Sequence, residues 1–356
     1  MRLFANWMRC NRAAWALVLL ASLARAAGPA EPASATVYYA VDSAAVSPSR
    51  SVSPSVVQRM VDNLAVAVTG KPDARRAWAS LVKPGDRVGI KVAASGGAVS
   101  GTNPQVVDAI VSGLLSAGIP PSQIIVWDRN LEDLVAAGYR KDGSRYTLRW
   151  VDPKTGYDPK AQVSAPVLGK LIWGDSGFGP QGSKDLSGDQ LSSQSFYSKI
   201  LSKEVTKIIN VPSLTDSFLT GVNGALANIV LPNLDNWRRF TKPPSFGDPY
   251  LAEIYADAII RDKVVLTILD GIFLQYGGGP FANPGYLQDH LTIYASKDPV
   301  AIDATAVRLV DEARKPSKLP PLGPMTVWLD SARSIGLGVR DENKIVLRQV
   351  GVEGLR

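Results

Sequence analysis

Ser296-Lys-Asp-Pro-Val-Ala-Ile-Asp303-Ala-Thr-Ala-Val307, read with Leu269-Asp-Gly-Ile272 just upstream, decides the fold class of this chain. The apolar run Val264 to Leu269 has strand character and ends at Asp270. A Gly/Pro loop follows, and a second apolar run, Leu291 to Ala295, delivers Ser296 and Asp298 to a helix start. Asp298 before Pro299 has the form of an acidic N-cap followed by proline at the first helical position. Both acids therefore stand at the ends of apolar strands, where open α/β sheets place their ligand crevice.

The same alternation extends toward the N-terminus. Thr36 to Val41 reads as a strand, and Pro54 to Val68 repeats apolar residues at helical spacing behind Ser53. Arg87 to Val92 is a buried strand, and Pro104 to Ala117 a helix closed by Gly118. Ile124 to Trp127 is a strand ending at Asp128, and Leu131 to Ala137 a short helix. Strand, helix, strand, helix in so short a stretch demands parallel pairing through right-handed crossovers. Further strands are expected over Thr206 to Val211 and Lys344 to Val350, and helices over Pro249 to Ile260, Pro299 to Glu312 and Met325 to Ile335. The expected fold is α/β, a mostly parallel sheet with helices on both faces. Residues 152–198, rich in Gly, Ser, Asp and Pro, form an insertion or lid within a domain spanning 36–356.

Residues 1–26 read as a signal peptide: Arg2, Arg9 and Arg12 precede an apolar run, Ala13 to Ala24, too short to span a bilayer, and Ala24-Arg-Ala26 suits a signal peptidase. Residues 27–35 are a Pro/Ala-rich linker. A periplasmic or secreted protein follows, with no stable membrane insertion after cleavage. Intact mass of the exported protein should place its first residue near Ala27; a full-length, membrane-retained species would refute export. The single cysteine, Cys10, lies inside that leader, so the mature chain has no thiol for a disulfide, a nucleophile or an iron–sulfur cluster. Of the formal charge of +7, four arginines precede residue 27; without them 35 basic residues face 32 acidic ones. No Lys/Arg run forms a nucleic-acid stripe.

Four constellations carry potential chemistry. Lys91 ends a buried strand, followed by Ser95-Gly-Gly97 and Thr102-Asn-Pro104, a turn able to aim N–H groups at an anion. Asp128 ends the next strand in Val126-Trp-Asp-Arg-Asn130; it suits either a shared crevice with Lys91 or a helix cap. Asn210-Val-Pro212 and Gly221-Val-Asn-Gly-Ala-Leu-Ala-Asn228 supply amides at Asn210, Asn223 and Asn228, which can orient a carboxylate or carbonyl, or equally serve turn chemistry. Asp270-Gly271 and Gly277-Gly-Gly-Pro280 form the fourth. His290 is the lone histidine, so a His-rich metal site is excluded. A metal would need oxygen ligands, chiefly Asp128, Asp270, Asp298 or Asp303, and would be a hard divalent ion such as magnesium or calcium.

This ordered set resembles the family catalogued as domain of unknown function 362, over roughly Val82 to Leu309. The resemblance rests on Val88-Gly-Ile-Lys-Val92, Thr102-Asn-Pro104, Val126-Trp-Asp128, Ile209-Asn-Val-Pro212, Gly221 to Asn228, Leu269-Asp-Gly-Ile272, Gly279-Pro280 and Ser296 to Asp303. Family members often carry cysteine-rich ferredoxin-like segments; this chain lacks them, so cluster-borne electron transfer is not inherited. They also often carry a basic or histidine-containing segment after Asn-x-Pro, which here reads Ser213-Leu-Thr-Asp-Ser217. The first half is distantly similar to the N-terminal domain of nickel-pincer lactate racemases, whose chemistry needs a histidine pair that one histidine cannot supply.

The expectation is an exported enzyme acting on a small anionic substrate in a strand-end crevice. Asp128 and Asp270 are its candidate catalytic residues; Lys91, Thr102, Asn210, Asn223, Asn228 and Asp298 are its candidate binding residues. The rival is a non-catalytic binding or assembly protein of the cell envelope using the same crevice.

Overall fold

The computed structural model describes residues 32–140, 145–164 and 194–351. Residues 1–26, expected to be a leader, most of the 27–35 stretch and the middle of the 152–198 stretch lie outside the described residues. In chain order the first elements are β1 (Ala35–Val41), α1 (Pro54–Thr69), α2 (Ala74–Leu81) and β2 (Val88–Val92). Then come α3 (Gly97–Ser100), α4 (Pro104–Ser116), β3 (Ile124–Asp128), α5 (Leu131–Ala136), β4 (Thr147–Trp150), β5 (Tyr157–Ser164) and β6 (Gln194–Ser198). The second half holds β7 (Lys207–Val211), β8 (Ser213–Ser217), β9 (Gly221–Val222), α6 (Ala225–Val230), α7 (Tyr250–Tyr255) and α8 (Ala258–Arg261). It closes with β10 (Val264–Gln275), β11 (Leu287–Ser296), α9 (Pro299–Arg314), α10 (Trp328–Ser334) and β12 (Ile345–Gln349).

The main sheet has the order β12-β1-β11-β10-β7-β2-β3-β4. Five of its seven pairings are parallel; only β11 runs against both of its neighbours, β1 and β10. β8 continues alongside the far half of β10, and β9 pairs with β8. β5 and β6 form a separate antiparallel ribbon. Alternate residues of each strand feed two cores. Ile124 and Val126 of β3 pack with α1, α2 and α4, while Ile125 and Trp127 pack on the face covered by α6, α7, α9 and α10. Strands covered on both faces are mostly apolar, which is why β2 and β3 read as hydrophobic runs broken only by Lys91 and Asp128 near their C-terminal ends. The α/β class, the mostly parallel sheet and the helices on both faces are as the sequence predicts.

Three differences bear on the site. α2 was not anticipated: its buried positions are few, Ala77 and Trp78, too few to show a helical period. The helix expected over Pro249 to Ile260 is two short helices, α7 and α8, because Asp257 caps a new start by accepting from the Ile259 N–H at 2.9 Å. β10 does not end at Asp270 but runs on to Gln275 through an irregularity between Gly271 and Phe273, held there by β8 and β11.

Candidate functional site

The C-terminal ends of β2, β3 and β7 lie side by side, with Lys91 opposite Trp127 on one side and Asn210 on the other. Behind that edge sits a closed polar network. The Lys91 ammonium is fully buried and donates to the Val92 carbonyl at 2.6 Å, Asp128 Oδ1 at 2.7 Å and Asn228 Oδ1 at 3.1 Å. Those three acceptors exhaust its three protons. Asn228 Nδ2 donates to Asn210 Oδ1 at 2.8 Å, and Asn210 Nδ2 to the Ala225 carbonyl at 2.7 Å. Asp128 also accepts the Ala94 N–H at 2.7 Å and the Arg129 N–H at 2.8 Å. The anion held by Lys91 and the turn after β2 is thus the carboxylate of Asp128 itself. Burial pulls the Lys91 pKa down from its ordinary value, and the Asp128 charge opposes that shift.

Thr102 fastens the same turn to β7. Its Oγ1 donates to the Val211 carbonyl at 2.7 Å and accepts the Ala93 N–H at 2.9 Å. Asp270 is buried to 1% exposure and accepts the Asn103 N–H at 2.7 Å, Asn103 Nδ2 at 2.9 Å and the Ile272 N–H at 3.1 Å. It anchors the start of α4. Burial raises its pKa, and the Asn103 donors work against that rise.

Asp298 is not at this edge. Lys91 faces Asn210, Asn210 faces Thr267, and Thr267 faces Ser296. Because β11 is antiparallel to β10, the chain beyond Ser296 heads toward the N-terminal edge of the parallel strands. There Asp298 accepts the N–H groups of Val300, Ala301 and Val339 at 2.9, 2.8 and 2.9 Å. It caps α9 and ties down the segment before β12; Gly338 leaves the room its carboxylate needs. Asp303, one turn into α9, accepts the Leu226 N–H at 3.0 Å and the Ala225 N–H, holding the start of α6. A side chain at Gly224 would collide with that carboxylate. Burial pushes Asp303 up to about 7, despite the two N–H groups that favour its charge.

In front of the network lies a cleft of about 330 Å3. Of the residues expected from sequence, Asp128, Asn223 and Asn228 line it, whereas Lys91, Thr102, Asn210 and Asp270 stand behind it or beside it. Arg129, Asp133, Tyr157, Trp237, Arg238 and Phe281 also line it. None of these six was singled out from sequence. The available signals were Arg129 directly after a strand-end acid and the aromatic–basic run Trp237-Arg-Arg-Phe240.

Arg129 donates to the Leu234 carbonyl at 2.7 Å and lies over the Tyr157 ring, 5.9 Å from its centre. Arg238 lies 4.9 Å over the Trp237 ring. Burial lowers the Arg129 pKa; Tyr157 opposes the shift, and the nearby charge of Arg238 adds to it. Burial also lifts the Tyr157 phenol to about 12, so it is a neutral donor. Asp133 accepts from Asn130 Nδ2 at 2.8 Å, and burial raises its pKa. Among the described residues, no three His, Cys, Asp or Glu side chains are grouped to hold a metal ion, and no helix is long and apolar enough to cross a membrane.

Among solved structures, the chain is similar to a crystal structure of a protein from Thermotoga maritima, at 14% sequence identity and a TM-score of 0.37. That match covers 75% of this chain and 59% of the other, so the chain spans less than two thirds of that protein's length. No curated protein matches the chain. With strands β2, β3, β7 and β10 and the polar network all falling inside the matched region, residues 88–308, the chain belongs to the family described as Domain of unknown function (DUF362).

Proposed function

We propose that this protein binds a small organic anion in the cleft in front of β2, β3 and β7, with Arg129 and Arg238 meeting its charge and Asn223 orienting it. One observation carries this reading: each candidate carboxylate named from sequence is already engaged by donors of the chain itself. Asp128 is held by Lys91, Asp270 by Asn103, Asp298 by the start of α9 and Asp303 by the start of α6. A general base must reach its substrate proton within hydrogen-bond distance, and Asp270 does not line the cleft. The geometry therefore favours a structural role over a catalytic one for Asp128 and Asp270, and gives the anion's charge to arginines, which match carboxylates in a planar, two-pronged way. Export through residues 1–26 is part of the same proposal.

The test uses calorimetry on the mature protein with 2-naphthoate and its uncharged counterpart 2-naphthamide as probes. The acid should bind and the amide should bind at least about tenfold more weakly, because the charge-assisted contact is lost. Arg238→Gln, an exposed change, should weaken the acid by about tenfold. Asp270→Asn should leave affinity unchanged while costing about 1–3 kcal/mol of stability, since it disturbs a buried acceptor of three hydrogen bonds. Equal affinity for acid and amide, or loss of binding in a folded Asp270→Asn protein, overturns the reading.

A further inference from the structure

The anion class can be narrowed, on the assumption that the cleft binds an anion at all. Three aromatic side chains line it, Tyr157, Trp237 and Phe281. Two of them already carry a guanidinium against the ring, Arg129 at 5.9 Å and Arg238 at 4.9 Å. The third, Phe281, is 58% exposed at the mouth and stands 6.3 Å from the Phe218 ring, itself 54% exposed. Much of the remaining wall is apolar, from Val151, Pro153, Leu219 and Leu231.

An inorganic phosphate or sulfate site looks different. It converges backbone N–H groups and lysines on one small sphere. Here the one lysine at the strand edge and the Ala94 N–H are both spent on Asp128. What remains is a slot lined by three aromatic rings and two arginines, with the carboxylates of Asp128 and Asp133 also on its wall. Flat rings favour offset stacking or edge-to-face contact with another ring. A guanidinium beside an aromatic ring can still donate to a planar carboxylate; Arg129 is held in place here by its bond to the Leu234 carbonyl. Arg238 stands close enough to Arg129 for their charges to oppose one another, with Asp235 nearby as the chain's own offsetting acid. The volume, about 330 Å3, lies at the small end of the range for organic ligands, suited to one or two fused rings.

We infer that the cleft recognises an aromatic carboxylate, its ring among Tyr157, Trp237 and Phe281 and its carboxylate beside Arg129 and Arg238. The arginines alone would hold acetate as well as any other acid; the rings supply the selectivity.

Calorimetric titration of the mature protein with 2-naphthoate, cyclohexanecarboxylate, acetate and inorganic phosphate tests this. Naphthoate should bind at least about tenfold more tightly than the other three, the difference coming from ring contacts and buried apolar area. Trp237→Leu keeps an apolar side chain of moderate size, and should lower naphthoate affinity about tenfold, narrowing its margin over acetate. The Trp237→Phe variant should retain most of the affinity, which separates loss of stacking from loss of fold. If cyclohexanecarboxylate or acetate matches naphthoate, the aromatic assignment falls while the anion site stands. If naphthamide matches naphthoate, the anion site itself falls. If phosphate binds most tightly, both the aromatic assignment and the slot geometry are refuted.

Discussion

Asp128→Ala should destabilise the protein by about 3–5 kcal/mol, the largest effect expected of a polar substitution in this chain. The physical cause is what remains. Lys91 has no exposure, and its ammonium loses the one carboxylate that offsets its desolvation. The Ala94 and Arg129 N–H groups lose their acceptor as well. Removing one partner of a buried pair costs far more than the pair is worth as a unit. The double variant Lys91→Met with Asp128→Ala should therefore lose much less than the sum of the two single changes, with a coupling of about 1–3 kcal/mol. Urea unfolding of the four proteins measures this. A single-variant loss below about 1 kcal/mol, or strict additivity, would show that the pair is solvated and is no anchor for the cleft wall.

Stability should fall between acidic and neutral pH, through Asp303 and Asp235. Burial pushes both carboxyls from 3.8 up to about 7. The Asp303 environment adds the charge of Asp298, while Asp235 is opposed by the Phe196 N–H and by Arg129 and Arg239. In the folded chain these acids keep their protons up to neutrality; in the unfolded chain they release them near pH 4. The folded state thus binds more protons across that window. The stabilisation is fully present below about pH 4 and is lost as pH rises through about 7. At about 1.36 kcal/mol per unit, each acid should contribute a loss of about 2–3 kcal/mol between pH 5 and pH 8. His290, whose pKa burial lowers from its ordinary value, acts in the opposite direction, so wild type must be compared with a variant. Asp303→Asn, which mimics the protonated acid, should reduce the pH 5 to pH 8 difference by about 2–3 kcal/mol. An unchanged pH profile in that variant would mean that Asp303 is ionised in the folded protein throughout.

Both effects have a bearing on the cleft. The network that fixes Asp128 also fixes the Arg129 backbone, and Asp235 lies close enough to Arg129 to influence its charge. Rigid backing of this kind holds the cleft wall in place.

The sequence by itself determined the fold class and the elements that build the edge. β2, β3 and β7, α4 and the capped start of α9 are written in local apolar period, proline position and cap residue, signals that need only a few neighbours. It also placed Lys91, Asp128 and Asn210 at the C-terminal ends of their strands, the edge that those strands share once they pair in parallel. The tertiary structure alone decided which of these residues face outward. Asp128 is consumed by Lys91, 37 residues away, and Lys91 by Asn228, 137 residues away; such pairings are contacts between elements, and no local pattern encodes them. It alone decided the direction of β11, which returns as an antiparallel hairpin from β10 and so carries Asp298 to the opposite edge. It alone brought Arg238 and Trp237 to the strand edge that ends at Asp128. Burial and pairing are properties of the packed whole, since each polar group is satisfied by whichever partner the fold brings within reach.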